Sequence, residues 1–196
     1  MADTLHFEPT AHTYKLMPSG ILLPSVSAII APLVDLSKIP VKNLDFARER
    51  GTAVHKACEL FDMGTLDEED LDEQIVAYVR AWAAFMYDWK PELTAIEQPG
   101  YHKSLLYAGT PDRWALWKNA KGKPLRVCID MKATYKLSPA VQVQLSGYSL
   151  MADEPADELW SVRLKNDGTY ERTVHKAATS TFLSCYNIFQ WKRKNP

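Results

Sequence analysis

Apolar positions recur along the chain at two periods, and the change of period marks out its elements. Two short β-prone runs, His12-Thr13-Tyr14-Lys15-Leu16 and Ile21-Leu22-Leu23, flank the turn Pro18-Ser19-Gly20 and predict a hairpin within residues 6–23. Ser25 is placed to cap a short helix over residues 26–34. Over residues 43–63 the spacing is helical: Val54, Ala57, Cys58 and Phe61 form one stripe, and Gly64 is a stop. Gly51, His55 and Glu59 run down an adjacent line at i, i+4 steps. A glycine inside a helix costs about 1 kcal/mol relative to alanine, so Gly51 is expected to permit a close backbone approach. A second helix is predicted over residues 66–90. Its acidic start, Asp67 to Glu73, suits a helix N-terminus, and its stripe is Ile75, Tyr78, Val79, Trp82, Phe85, Met86 and Trp89.

Residues 93–117 read as two strands joined by a loop near His102-Lys103-Ser104. The first carries Glu97, and the second carries Asp112 on the face of Trp114 and Leu116. Gly109 and Pro111 argue for a bulge or kink that re-aims Asp112. Residues 127–134 read as a buried strand after a turn at 119–124. Val127, Ile129 and Met131 take one face; Asp130 and Lys132 take the other, roughly 7 Å apart along the strand. A carboxylate and an ammonium in a central strand are costly to bury unless paired or metal-bound. A strand-end salt bridge without chemistry meets the same condition.

Ser138-Pro139 opens a helix to residue 151, with Val141, Leu145, Tyr148 and Ala152 buried. Gln144 and Tyr148 share a line, while Gln142 faces the opposite way. Residues 157–165 and 169–175 form a final hairpin around Asn166-Asp167-Gly168, and a last helix over 181–191 ends in Lys192-Arg193-Lys194. There is no internal repeat and no low-complexity linker.

The 196 residues, 46% hydrophobic and 24% charged, suit one domain over 1–196, with a hairpin and short helix in 1–40 and the core in 41–196. A formal net charge of -1 excludes a binder that holds nucleic acid by bulk charge, though not a local basic groove. Six Trp and nine Tyr are many for this length; most are expected in the core, and some are available to stack on bases. Cys58, Cys128 and Cys185 lie far apart, which argues against a zinc ribbon or iron–sulfur cluster and fits buried thiols in a reducing compartment. No apolar run is long enough to span a bilayer, and the N-terminus lacks the pattern of a secretion signal. A soluble, cytoplasmic protein is expected.

The chemistry-bearing residues are His55, Glu97, Asp112, Asp130 and Lys132; His6 and His12 are expected at the surface. In a hairpin followed by a neighbouring strand, the three acidic positions can meet at one sheet edge. Carboxylate oxygens with one imidazole suit a hard or borderline cation, Mg²⁺ or Mn²⁺. A lysine beside them can orient water or neutralise developing charge. These are the parts for metal-assisted phosphodiester hydrolysis.

The ordered set Arg50-Gly51-Thr52-Ala53-Val54-His55, Gly109-Thr110-Pro111-Asp112, Asp130-Met131-Lys132 and Gln144-Leu145-Ser146-Gly147-Tyr148 resembles the PD-(D/E)XK nucleases, within them the RecB-like exonuclease branch. That branch carries Gly-x-x-x-His, Gly-x-x-Asp, Asp-x-Lys and Gln-x-x-x-Tyr, here spread over residues 50–148. His12-Thr13-Tyr14 followed by Leu23-Pro24-Ser25-Val26-Ser27 also resembles small phage-type members. The resemblance implies a restriction-endonuclease-like mixed β-sheet flanked by α-helices. It implies a metal-dependent DNA exonuclease in recombination, repair or replication, a stand-alone enzyme or a subunit. Alternatives are a structure-specific endonuclease, for junctions or RNA, and a non-catalytic DNA-binding scaffold of the same fold. The lean to exonuclease is by analogy.

The resemblance further implies roles. His55, Asp112 and Asp130 ligate one or two Mg²⁺ or Mn²⁺ ions, with the Met131 carbonyl as a further ligand. Glu97 holds a second metal or its water shell. Lys132 positions the attacking water, and Gln144 touches the substrate backbone or Lys132. Tyr148 touches DNA or packs as a core tyrosine; Arg50 contacts phosphate or is merely solvated. Lys103, Arg113, Lys136 and the 192–194 tail are candidates for a groove that holds the DNA backbone. The iron–sulfur cysteine set of some relatives is missing, so no cluster is expected. Partners implied are DNA and a recombination or single-strand-binding protein, without a membrane; the oligomeric state is open.

Overall fold

The structure, a computed structural model, describes residues 3–35, 37 and 40–195. Strands β1 (Thr4–Glu8), β2 (Thr13–Met17) and β3 (Leu22–Leu23) pair antiparallel in chain order. Tyr14 and Leu16 alternate inward from β2, as a half-buried strand requires. Helix α1 (Val26–Ile30) is capped by Ser25, whose Oγ accepts from the Ala28 N–H at 3.0 Å. It ends four residues short of the predicted boundary and tightens into a 3₁₀ turn over Ala31–Leu33, where Pro32 removes a helical N–H.

Helix α2 (Val41–Asp62) stops at Gly64, whose φ of 69° lets the chain leave the helix. Helix α3 (Glu73–Trp89) is shorter than its acidic lead suggested. Asp72 accepts from the Gln74 N–H at 2.8 Å and caps the helix, so the acidic run before it lies outside.

The stretch expected to hold two strands holds four: β4 (Glu92–Ile96), β5 (Gly100–Tyr101), β6 (Ala108–Gly109) and β7 (Arg113–Lys118). Pro99 and Pro111 cannot donate to a ladder, and Glu97 and Leu106 take positive φ; the run is cut at these places. Then follow β8 (Pro124–Lys132), α4 (Ala140–Met151), β9 (Glu158–Leu164), β10 (Tyr170–His175) and α5 (Thr179–Lys194). The main sheet has the order β10-β9-β8-β7-β4, parallel between β8 and β9 and antiparallel elsewhere. It is the expected mixed sheet flanked by helices.

Strand β8 is central, and its side chains sort by parity. Val127, Ile129 and Met131 pack with α2 and α3; Cys128 packs with α1, α4 and α5. Asp130 and Lys132 therefore share the second face, as the alternation predicts. The expected close approach at Gly51 is not found: among the described residues nothing lies within 4 Å of where its Cβ would be. The close approach occurs instead at Gly109, where a Cβ would stand 2.7 Å from Tyr148 Cε1. Cys58, Cys128 and Cys185 are buried free thiols. No helix among the described residues is long and apolar enough to cross a membrane.

Candidate metal centre

Three strand ends meet at one edge of the sheet. The register Ile96↔Arg113↔Ile129 places the end of β4, the start of β7 and the end of β8 side by side. Glu97 was expected within a strand; it falls one residue past β4, at a φ of 45°, and its N–H donates to the Asp112 carbonyl at 2.9 Å. Asp112 sits in the gap before β7. Its Oδ2 accepts from the Met131 N–H at 2.6 Å, which fixes the carboxylate and leaves Oδ1 free to face α2.

His55 approaches from α2. Its Nε2 lies 3.1 Å from the Met131 carbonyl oxygen. A carbonyl offers only lone pairs, so Nε2 carries the proton and Nδ1 presents its own lone pair. That Nδ1 stands 3.5 Å from Glu97 Oε1 and 3.5 Å from Asp112 Oδ1. His55, Glu97 and Asp112 thus offer three ligand atoms, all within 4.8 Å of one another. Electron-rich atoms at these separations repel unless positive charge lies between them. A cation with bonds of about 2.1 Å spaces adjacent ligands by roughly 3 Å, so a small closure would complete the site. Burial pulls the His55 pKa down, but Asp112 and Glu97 outweigh it and raise it, so a proton can stand in for the metal.

Asp130 and Lys132 lie beside this group. Lys132 Nζ donates to Asp130 Oδ1 at 2.8 Å. Asp130 is fully buried, and among the described residues its Oδ2 has no hydrogen-bond partner. An orphaned, buried carboxylate oxygen beside three converging donors is what a cation would satisfy. Burial pushes the Asp130 carboxyl from its usual 3.8 up to about 6, with Lys132 opposing and Asp112 adding to the rise. For Lys132, burial acts to lower the pKa, but Asp130, Asp112 and Glu97 prevail and raise it. Lys132 thus keeps its proton and serves as a donor.

His55, Asp112 and Glu97, each named from the sequence as a metal residue, lie together, and Asp130 stands outside that group, paired with Lys132. The left-handed turn at Glu97 carries its longer side chain to Asp112, while Asp130 is directed to the α4 face. The Met131 carbonyl, expected as a further ligand, instead accepts from His55 Nε2–H, on the side of the ring away from Glu97 and Asp112.

Gln144 donates to the Tyr148 hydroxyl at 2.9 Å, and Tyr148 is buried. Burial raises the Tyr148 pKa well above its usual value, with Asp130 and Asp112 adding to it. The pair forms a wall behind the carboxylates; Gln142 turns away and donates to the Lys176 carbonyl.

Arg113 corrects an expectation. It was a candidate for the DNA groove, yet it is fully buried. It donates from Nε to Asp62 Oδ2 at 2.6 Å and from Nη1 to Glu97 Oε1 at 3.1 Å. It follows Asp112 by one residue, so it points to the α2–α3 face. It holds Glu97 in place from below. Asp62, also held by the Trp82 indole at 2.8 Å, was missed in the sequence. Its signal was there: Asp62 continues the apolar line Val54, Cys58 at helical spacing. Tyr14 was missed as well. Its hydroxyl lies 2.9 Å from Thr110 Oγ1 and ties the N-terminal sheet to the segment that presents Asp112.

The remaining candidates are spread out. Arg50 donates to the Ala133 carbonyl at 3.1 Å and lies over the Tyr78 ring. Lys103 is exposed and paired with Asp153 at 2.8 Å. Lys136 borders a cavity beyond the end of β8, and Lys192, Arg193 and Lys194 close the last turn of α5. His6 and His12 are exposed, as expected.

No family model matches the chain. No curated protein matches it in sequence either. Among solved structures, the alkaline exonuclease LHK-Exo from Laribacter hongkongensis is 13% identical, covering 88% of this chain and 93% of its own, at a TM-score of 0.44. SSO0001 is 15% identical, covering 57% of this chain and 55% of its own, at a TM-score of 0.33. Likeness of this degree carries no argument about chemistry, which rests on the residues of this chain.

Proposed function

We propose that the protein is a divalent-metal-dependent deoxyribonuclease of the PD-(D/E)XK kind, in its RecB-like branch, acting on DNA ends as an exonuclease. The supporting observation is the convergence of His55 Nδ1, Glu97 Oε1 and Asp112 Oδ1 beside the buried Asp130–Lys132 pair. Residues 41–196 would form the catalytic core and 1–40 an appended hairpin and helix.

His55, Glu97 and Asp112 would hold the ion, with Asp130 Oδ2 as a further oxygen donor. Bound there, Mg²⁺ or Mn²⁺ supplies a lowered pKa for water and stabilises charge on the leaving oxygen. Lys132, protonated and braced by Asp130, donates a hydrogen bond to the attacking water or a phosphate oxygen. Met131 N–H fixes Asp112, Arg113 fixes Glu97, and Gln144 with Tyr148 closes the side toward α4. Lys136 and Arg50 are the cations we assign to holding a DNA backbone. The place in recombination or repair, beside a protein that loads or protects single strands, follows from the motif resemblance.

The test compares linear with covalently closed circular duplex DNA in Mg²⁺. Linear DNA is degraded, circular DNA survives, and Asp130→Asn cleaves neither. Cleavage by Asp130→Asn at the parent rate, or no cleavage by the parent, overturns the reading; cleavage of the circle overturns its exonuclease part.

A further inference from the structure

Residues 133–137 form a loop between Lys132 and α4, and two arginines hold its backbone from opposite sides. Arg50 on α2 donates from Nη2 to the Ala133 carbonyl at 3.1 Å. Arg163 on β9 donates from Nη1 to the Tyr135 carbonyl at 2.7 Å. Each arginine is itself braced: Arg50 lies 5.2 Å over the Tyr78 ring and 5.7 Å over the Phe46 ring, and Arg163 pairs with Glu171. Within the loop, Thr134 Oγ1 donates to the Lys136 carbonyl at 3.2 Å.

A loop fastened in this way carries an aromatic ring out into water. Tyr135 is 96% exposed, the most exposed of the protein's large apolar side chains among the described residues. Burying an aromatic side chain is worth about 1.5–3 kcal/mol, so a ring held in solvent by a braced backbone gains nothing for the fold. Such a ring is available for a flat partner.

A cavity of about 370 Å³ opens beside it, lined also by Lys136, Arg163, Thr173 and His175. That is near the lower end of the roughly 300–1,000 Å³ typical of small-molecule sites, the scale of one nucleotide. The lining sets Leu137 and Pro139 beside the polar Ser138, Thr173 and His175, the cation Lys136 and the Arg163–Glu171 ion pair. The cavity also lies one strand from Asp130. Lys132 and Arg163 are register partners, as are Asp130 and Ser161, and Ser161 Oγ is 2.7 Å from His175 Nε2.

We propose that Tyr135 and this cavity form a subsite for one unpaired nucleotide next to the scissile phosphate. Its base stacks on the Tyr135 ring, and its phosphate is held by Lys136, while Arg163, paired with Glu171, braces the loop. A base inside a duplex is already stacked and offers no face to a side chain, so the subsite selects a frayed or single-stranded end. The assignment rests on the nuclease reading for its placement beside the reacting phosphate, while its own test is a binding measurement.

The test is fluorescence anisotropy of a labelled short oligothymidylate with the full chain in EDTA, where metal-dependent cleavage does not intervene. Stacking is worth about 1–3 kcal/mol per base, so Tyr135→Ala weakens binding by about tenfold or more. Tyr135→Phe, which keeps the ring face, binds within about twofold of the parent, and Tyr135→Leu, apolar but not flat, behaves as Tyr135→Ala. Covalently closed circular duplex competes equally against the parent and Tyr135→Ala. Unchanged affinity in Tyr135→Ala, or equal loss in Tyr135→Phe and Tyr135→Ala, overturns the subsite. Cleavage by the parent in Mg²⁺ and its loss in Asp130→Asn are read in parallel. A parent that cleaves while Tyr135→Ala binds normally overturns the subsite alone. A parent that binds through Tyr135 without cleaving overturns the nuclease reading alone. A parent that neither binds nor cleaves overturns both.

Discussion

The Nε2–H of His55 donates to the Met131 carbonyl, and this hydrogen bond turns the lone pair of Nδ1 toward the carboxylates of Glu97 and Asp112. A backbone atom of β8 thereby sets the tautomer of a side chain on α2. The ring could not be read as a ligand from its place on the helix, where a histidine beside an apolar stripe is more often a core residue.

That geometry predicts a metal-linked stability. Mn²⁺ raises the melting temperature of the parent by binding the folded state alone. His55→Ala and Glu97→Gln each reduce the rise, with His55→Ala weakening apparent metal affinity about tenfold or more. Calorimetric titration with Mn²⁺ checks this directly; an isotherm unchanged in His55→Ala removes the imidazole from the ligand set. Chelation by EDTA abolishes cleavage and returns the melting temperature to its metal-free value.

The pH response of Asp130 has a definite sign. Its folded carboxyl lies at about 6, above the usual 3.8, so the folded state holds this proton more tightly than the unfolded chain does. The contribution is fully present below the unfolded value and is lost as pH rises through the folded one. Without divalent ions, the stability of the parent relative to Asp130→Asn therefore falls between pH 3.8 and about 6. Urea titrations of both proteins across that window measure it. A parent that gains on Asp130→Asn over the same range contradicts the assignment.

Removal of Arg113 leaves two carboxylates facing a buried gap. Arg113→Leu is expected to destabilise the protein by about 3–5 kcal/mol, because Asp62 loses its buried partner and Glu97 its brace. Chemical denaturation reads the loss. A cost below about 1 kcal/mol would place Arg113 among ordinary surface pairs.

Two glycines respond in opposite directions. Gly51→Ala meets open space on α2 and should stabilise by up to about 1 kcal/mol through helix propensity. Gly109→Ala drives a methyl to within 2.7 Å of Tyr148 Cε1 and lowers the melting temperature. Thermal melts of the two variants side by side decide the matter; a destabilised Gly51→Ala would mean that something does pack against that turn.

Lys136 should act through charge alone. Lys136→Ala weakens oligonucleotide binding and reduces the slope of log affinity against log salt by about 0.7–0.9, one phosphate contact. An unchanged slope takes Lys136 out of the interface.

Much of this was legible in the amino-acid order. The period of two along β8 put Asp130 and Lys132 on one face, and their 2.8 Å pairing follows from that. The stripes of α2, α3 and α4 marked the faces that became the two halves of the core. These are local properties, since a strand or helix imposes its period on every residue it contains.

What crosses between elements had to come from tertiary structure. Glu97 joins the metal group because the chain leaves β4 through a left-handed residue, and no periodicity announces that turn. Arg113 is buried because Asp62, 51 positions earlier, waits on the other side of the sheet. Residue order determined which groups could carry metal chemistry; only the folded register β4–β7–β8 decided which of them face one another. A side chain's direction is a local matter of backbone period, whereas its neighbours depend on how separate elements pack.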